Sequence, residues 1–333
     1  MYKLLLSTVV VAMAAVAQDY KVIGKIQIGG AGGWDYLTAD PGAHRLFVSN
    51  ANRVVVLDTA SAKVIGEIPN TQGVHGIALA PGLGKGFISC GRANQMVVFD
   101  LKALKVTAQV PTGQNPDAIS YEPVSGRVFT FNGRSNDATA VDARTGTVLG
   151  TIPLGGKPEF AQLDGKGMIY VNNEDTSEIL EIDAKALKVT RRWPLAPCES
   201  PSGLAMDVGH RRLFSVCGNK LMAISDAAAG KLMTTLPIGA GSDGVAFDPG
   251  TGLVVSANGD GTMTFVKQVN NNYAVVQTLK TEPRARTITV DTATHRFYSP
   301  TAEFGPVPAP TAATPRPRPT AVPDTFHLLV VGR

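Results

Sequence analysis

Apolar and polar residues alternate along this chain in runs of about six positions, and the runs come in groups of four. In the first group they are YLTAD (36–40), RLFVSN (45–50), RVVVLD (53–58) and KVIGEI (63–68). Each run is rich in Val, Ile, Leu or Phe and is bounded by Pro-Gly, Asn or Ser/Ala turns. That is the pattern of short antiparallel strands. The group returns about every forty residues. Its second run ends each time in a similar tetrapeptide: FVSN (47–50), FISC (87–90), FTFN (129–132), YVNN (170–173), FSVC (214–217), VSAN (255–258) and YSPT (298–301). Self-similarity at this period means one supersecondary unit stacked on itself.

Six groups are complete. The seventh has TITVD (287–291) and RFYSP (296–300). A Pro-rich stretch (303–324) follows, with Arg316 and Arg318 among its prolines, and the pattern resumes as HLLVV (327–331) without a fourth run. A spare fourth run, KVIGKI (21–26), stands near the N-terminus with no group of its own. Seven sheets of four strands close into a ring without an open seam if that strand completes the last sheet. The pattern therefore predicts an all-β chain forming a seven-bladed β-propeller, four antiparallel strands per blade, the last blade closed by the N-terminal strand. A linear solenoid would not need a strand missing at one end and spare at the other.

The third run ends on Asp58, Asp100, Asp142, Asp183 and Asp226 in the first five groups. An Asp before a turn accepts hydrogen bonds from the backbone just beyond it, so this carboxylate series reads as structural. The tetrapeptide, the Asp closing the third run and the KVIGEIP-like fourth run together resemble the YVTN-repeat family, including YncE-like exported β-propellers. The resemblance spans essentially 20–333. It implies an exported binding scaffold more often than an enzyme.

Residues 1–17 stand apart. Lys3, the apolar run 4–16 and Ala15-Val16-Ala17 form a signal-peptide pattern with cleavage before Gln18. The expectation is an exported protein, periplasmic or extracellular, with one propeller domain over 18–333 and no transmembrane segment after cleavage. Formal charge is only +4 and aromatics are 6%, which gives no basic footprint and few stacking surfaces for nucleic acid. The Pro-rich stretch favours extended or solvated chain and projects from the mouth face, where Arg316 and Arg318 are placed to reach an acidic ring or a partner.

Propeller geometry locates that ring. The first strand of each blade lines the central channel. The residue just before it, fifteen positions ahead of the tetrapeptide's end (fourteen in blade 4), sits at the mouth: Asp35, His75, Asp117, Glu159, Ser202, Asp243 and Arg286. A position serving the repeat alone would keep one residue type, as the Asp series does; this one varies. Asp35, His75, Asp117, Glu159 and Asp243 are also candidate ligands for a divalent cation, the one cofactor the sequence suggests. The tetrapeptide ends (Asn50, Cys90, Asn132, Asn173, Cys217, Asn258, Thr301) read as turn-supporting. Cys198 and Cys217 fall within one blade on the mouth face and are expected to pair. Cys90, three blades away, is expected to be a free, buried and inert thiol, although beside His75 it would hint at a soft metal.

No nucleophile elbow, zinc-protease motif, phosphate loop or haem-attachment motif is present, which points away from an enzyme. The leading expectation is a monomeric scaffold holding a small ligand, peptide or protein at the mouth. The alternative is a metal-dependent hydrolase of lactone or ester type at the same place. Single-stranded nucleic acid ranks behind both.

Overall fold

The computed structural model describes residues 19–30, 33–311, 314 and 317–333 of the 333-residue chain. Seven four-stranded antiparallel sheets surround a central axis. Blade 1 is Leu37–Asp40, Arg45–Asn50, Arg53–Asp58 and Lys63–Ile68, from the axis outward. Blades 2 to 6 repeat it in order. Blade 7 consists of Thr289–Asp291, Arg296–Thr301, His327–Gly332 and, as its outer strand, Lys21–Gln27. Lys21 pairs with Gly332 and Gln27 with His327. Tyr20 extends the closure: its carbonyl accepts from Gln277 Nε2 at 2.6 Å, on the outer strand of blade 6. The signal-peptide expectation lies outside the described residues. Among those described, no helix is long and apolar enough to cross a membrane.

The hydrophobic pattern explains the layering. The second and third strands of each blade are buried on both faces, whereas the outer strands carry exposed positions such as Val64 and Ile65. The buried residues fall into seven clusters among those described, one for each pair of neighbouring blades. Phe47 of blade 1 packs with Val97 and Phe99 of blade 2, and Tyr298 of blade 7 with Leu46 and Val48 of blade 1. The structure therefore has no single core. Each blade is stabilised by apolar burial against two neighbours.

The Asp series behaves as its turn position suggests. Asp100 Oδ1 accepts from the Lys102 and Ala103 N–H groups at 2.9 and 2.6 Å, and Asp142, Asp183 and Asp226 repeat the arrangement. In blade 6 the turn is made by Asn270 and Asn271, both left-handed, a conformation Asn tolerates and tight hairpins require.

The Pro-rich stretch is more ordered at its base than its composition suggests. Phe304 and Ala321 pair as an antiparallel bridge, and Gly305 N–H and Val322 N–H donate across the stem to Thr320 O and Glu303 O. The cause is aromatic. Phe304 packs on Trp34, centroids 6.0 Å apart, and Trp34 stacks on Phe326 at 5.0 Å, which anchors the stem to blades 1 and 7.

Candidate functional site

In blades 2 to 6 the ring residues are the second residue of the inner strand, not the residue before it. The pairing register shifts there in each of these blades, for example between Val74 and Ile77 and between Pro201 and Leu204. A bulge at that point bends the strand and re-aims a side chain, here at the mouth. Gly76, Gly203 and Gly244 follow the ring residue in three blades. A Cβ at Gly203 would stand 2.8 Å from Asp243 O, and one at Gly244 would stand 2.8 Å from Ile288 N. Glycine there lets neighbouring blades meet backbone to backbone.

The penultimate tetrapeptide residue ties the ring together. Ser49 Oγ accepts from Asp35 N–H at 2.8 Å, and Ser89 Oγ accepts from Gly76 N–H at 2.8 Å and donates to Asp117 O in the next blade. Asn172 Nδ2 donates to Ser202 O at 3.0 Å, and Thr287 Oγ1 donates to Asp35 O at 2.7 Å across the blade 7–blade 1 boundary. The final Asn residues serve their own turns: Asn132 Nδ2 donates to Asp137 and Thr139, and Asn258 Nδ2 to Thr262 and Thr264.

The seven ring positions divide into separate groups. Asp35, His75 and Asp117 come together, with their potential ligand atoms all within 4.8 Å of one another. His75 Nδ1 lies 2.6 Å from Asp35 Oδ2 and 3.6 Å from Asp117 Oδ1. The other two candidate cation ligands are engaged elsewhere. Lys157 Nζ sits 2.6 Å from Glu159 and also contacts Glu174, and Arg286 is 3.2 Å from Asp243. Ser202 Oγ donates to Ser242 O at 3.2 Å, a bond between blades rather than into the mouth.

Electrostatics follow from burial among like charges. Burial and the Asp35 charge push Asp117 up to about 7, with His75 opposing. Burial and Asp117 push Glu159 up to about 8 against Lys157. Burial works against a charged His75, but the Asp35 hydrogen bond and the surrounding carboxylates outweigh it and raise the imidazole to about 9. Burial raises Asp243 as well, opposed by Arg286. Asp117 Oδ1 is buried and accepts no hydrogen bond among the described residues.

The mouth has a floor. Tyr36 of blade 1 and Phe160 of blade 4 meet edge to face with centroids 4.9 Å apart. Cavities of about 290 and 170 Å³ are lined by Tyr36 or Phe160 together with residues further along the inner strands. Burial and the four ring carboxylates raise Tyr36 well above the ordinary phenol range.

Lys157 and the floor were not singled out from sequence. The signal was available at neighbouring positions of the same repeat. Two before the ring position stand Gly33, Gly73, Asn115, Lys157, Ser200, Gly241 and Arg284. One after stand Tyr36, Gly76, Ala118, Phe160, Gly203, Gly244 and Thr287. Cations appear in two blades of the first series and large aromatics in two of the second.

Cys198 and Cys217 are joined, Cα atoms 5.8 Å apart. Cys90 is free and enclosed in the apolar packing between blades 1 and 2, and burial pushes its thiol up to about 12. That removes the soft-metal hint, because a thiol held protonated in an apolar core is a poor ligand. Of the two insert arginines, Arg316 lies outside the described residues. Arg318 lines a cavity with Arg284 and Arg286, on the basic side of the mouth rather than over its carboxylates.

No family model matches the chain, and no curated protein does. Among solved structures, Kuenenia stuttgartiensis Hydrazine Synthase is similar, with TM-score 0.69 and 15% identity over 81% of this chain and 92% of that one. At such identity the likeness carries the fold, a seven-bladed propeller, and nothing further.

Proposed function

We propose that this propeller is a binding scaffold whose ligand seats in the acidic cup above Tyr36 and Phe160. The ligand is a small molecule, or a side chain of a peptide or protein partner, that presents a hydrogen-bond donor or positive charge. The observation that carries this reading is Asp117 Oδ1. A buried carboxylate oxygen without a donor is costly, and this one lies 3.6 Å from His75 Nδ1 in the group that includes Asp35. A donor entering the mouth would satisfy it. The floor supports seating over passage through the axis.

The resemblance to YVTN-repeat, YncE-like propellers and the 1–17 pattern support export, which N-terminal sequencing of secreted material checks. A monomer is expected because the ring of blades is completed within one chain, and light scattering tests that. Binding is tested by thermal shift against small amines, diamines and guanidines. Stabilisation by such a compound, lost in the double variant Asp117→Asn with Asp243→Asn, supports the cup. Stabilisation retained in that variant rules it out.

The Asp35–His75–Asp117 group favours a second reading. Two carboxylates and an imidazole suit a transition-metal ion, and a metal there would supply Lewis acidity for ester or lactone hydrolysis. His75 must give up its proton to ligate, so cation binding would release a proton and weaken with falling pH. Metal analysis of unchelated protein, with titration of Mn²⁺ and Zn²⁺ at two pH values, separates this from the metal-free cup. Nucleic acid is disfavoured by the mouth's carboxylates.

A further inference from the structure

The base of the Pro-rich stretch and the loops of blades 6, 7 and 1 line an open cleft of about 700 Å³ on the mouth face. This lies within the roughly 300–1,000 Å³ typical of small-molecule sites. Its wall carries Arg284, Arg286 and Arg318, together with Trp34 and Phe304. We propose that it is a second site, distinct from the acidic cup, for a small anion with an aromatic or apolar body: a carboxylate or a phosphate ester.

Three observations support this. First, the guanidinium of Arg284 lies over the Phe304 ring at 4.7 Å, and among the described residues neither Arg284 nor Arg318 has a carboxylate partner. The acidic residue in the wall, Asp260, is already engaged: its oxygens accept from Ala240 N–H and Thr262 Oγ1, each at 2.7 Å. Guanidinium groups recognise carboxylate and phosphate through paired N–H donors.

Second, the repeat makes Arg284 an exception. The residue two before the ring position is left-handed in six blades, as Gly33, Gly73, Asn115, Ser200, Gly241 and Arg284. Gly and Asn take that conformation more easily than an Arg. The turn's own chemistry does not call for Arg at this point.

Third, the apolar part of such a ligand has a surface to lie on. Trp34 is packed between Phe304 and Phe326. Phe304, tilted against Trp34, comes from the insert that blade 7 carries.

Trp34 makes the proposal measurable. The chain's other tryptophan, Trp193, is buried between blades 4 and 5, so a ligand in this cavity changes Trp34 emission alone. Phenyl phosphate and benzoate titrated at millimolar concentration should give a saturable change, and benzyl alcohol should not. Arg284→Gln should weaken phenyl phosphate binding by about tenfold or more, the loss of a charge-assisted hydrogen bond. Arg318→Gln, on the exposed insert, should weaken it too and serves as the deciding variant if Arg284→Gln does not fold. No saturable change with either anion overturns the proposal, as does equal affinity in wild type and Arg318→Gln.

Discussion

Tyr36 and Phe160 touch across the propeller axis, edge to face, although they belong to blades 1 and 4. Their contact separates the charged mouth from the cavities that continue along the inner strands. Truncating Tyr36 to Ala removes a large, mostly buried ring and leaves a void. It should cost about 3 kcal/mol in urea unfolding, whereas Tyr36→Phe keeps the contact and should cost under about 1 kcal/mol. Equal effects would show that the ring is not what seals the mouth.

The mouth should also give stability a pH dependence of its own. His75 is raised from 6.5 to about 9, so its contribution is whole below 6.5 and is lost as pH climbs through 9. Asp117 and Glu159 are raised to about 7 and about 8, so the folded chain holds their protons more tightly than the unfolded chain does. Their effect likewise lowers stability with rising pH, between about 4 and 7 for Asp117 and about 4.5 and 8 for Glu159. Melting temperature should therefore fall less between pH 5 and 8 (roughly the Asp117 and Glu159 window) in Asp117→Asn and Glu159→Gln than in wild type. His75→Gln should remove the alkaline part. NMR should find the His75 imidazole titrating near 9, and a value near 6.5 would contradict the Asp35 pairing.

Gly203→Ala probes the close approach of blades 5 and 6. The added methyl meets Asp243 O and Gly244 Cα within 3 Å, at 2.8 and 2.9 Å. Overpacking against backbone should cost about 1–3 kcal/mol. Because Asp243 is a ring residue, a crystal structure of the variant should also show its side chain displaced. An unchanged melting temperature would mean the blades separate freely.

Reduction tests the pairing of Cys198 with Cys217. Intact mass should rise by the two hydrogens of one disulfide, with Cys90 unreactive to alkylation in the folded state. Cys217→Ser should cost about 3 kcal/mol, the order expected for a loop of this size, where the sequence separation is 19. A mass unchanged by reductant would leave both cysteines free.

Fold and site differ in how much of them the sequence showed. The blades were legible because each is built from the same local chemistry: Asp142 accepting from Arg144 and Thr145 is a contact across two or three residues, and it leaves a period in the chain. The ring positions were legible as departures from that period. Their partnerships were not. Asp35 meets His75 in the adjoining blade, and Tyr36 meets Phe160 of blade 4 only because seven sheets close around one axis. No short-range pattern records which blades face each other at the centre. The bulge that turns His75 inward has a partial trace in Gly76, Gly203 and Gly244, but a lone Gly in a strand is read equally well as a weak point. The insert misled for the opposite reason. Its prolines dominate the composition, while its base is held by a short backbone pairing and by Phe304 packing on Trp34 of a distant segment.

The pairing of Lys21 with Gly332 carries a mechanical consequence. These two residues lie at the same edge of the closing pair of strands, which run antiparallel from there to Gln27 and His327. Tension applied between them loads one rung at a time, and the strands part like a zip. Tension applied between interior blades would have to shear several rungs and a whole apolar interface at once. The propeller is therefore softest along the line joining Lys21 and Gly332. A tether or fusion that pulls there opens blade 7 first, releasing Tyr20 from blade 6 and uncovering the side of blade 1.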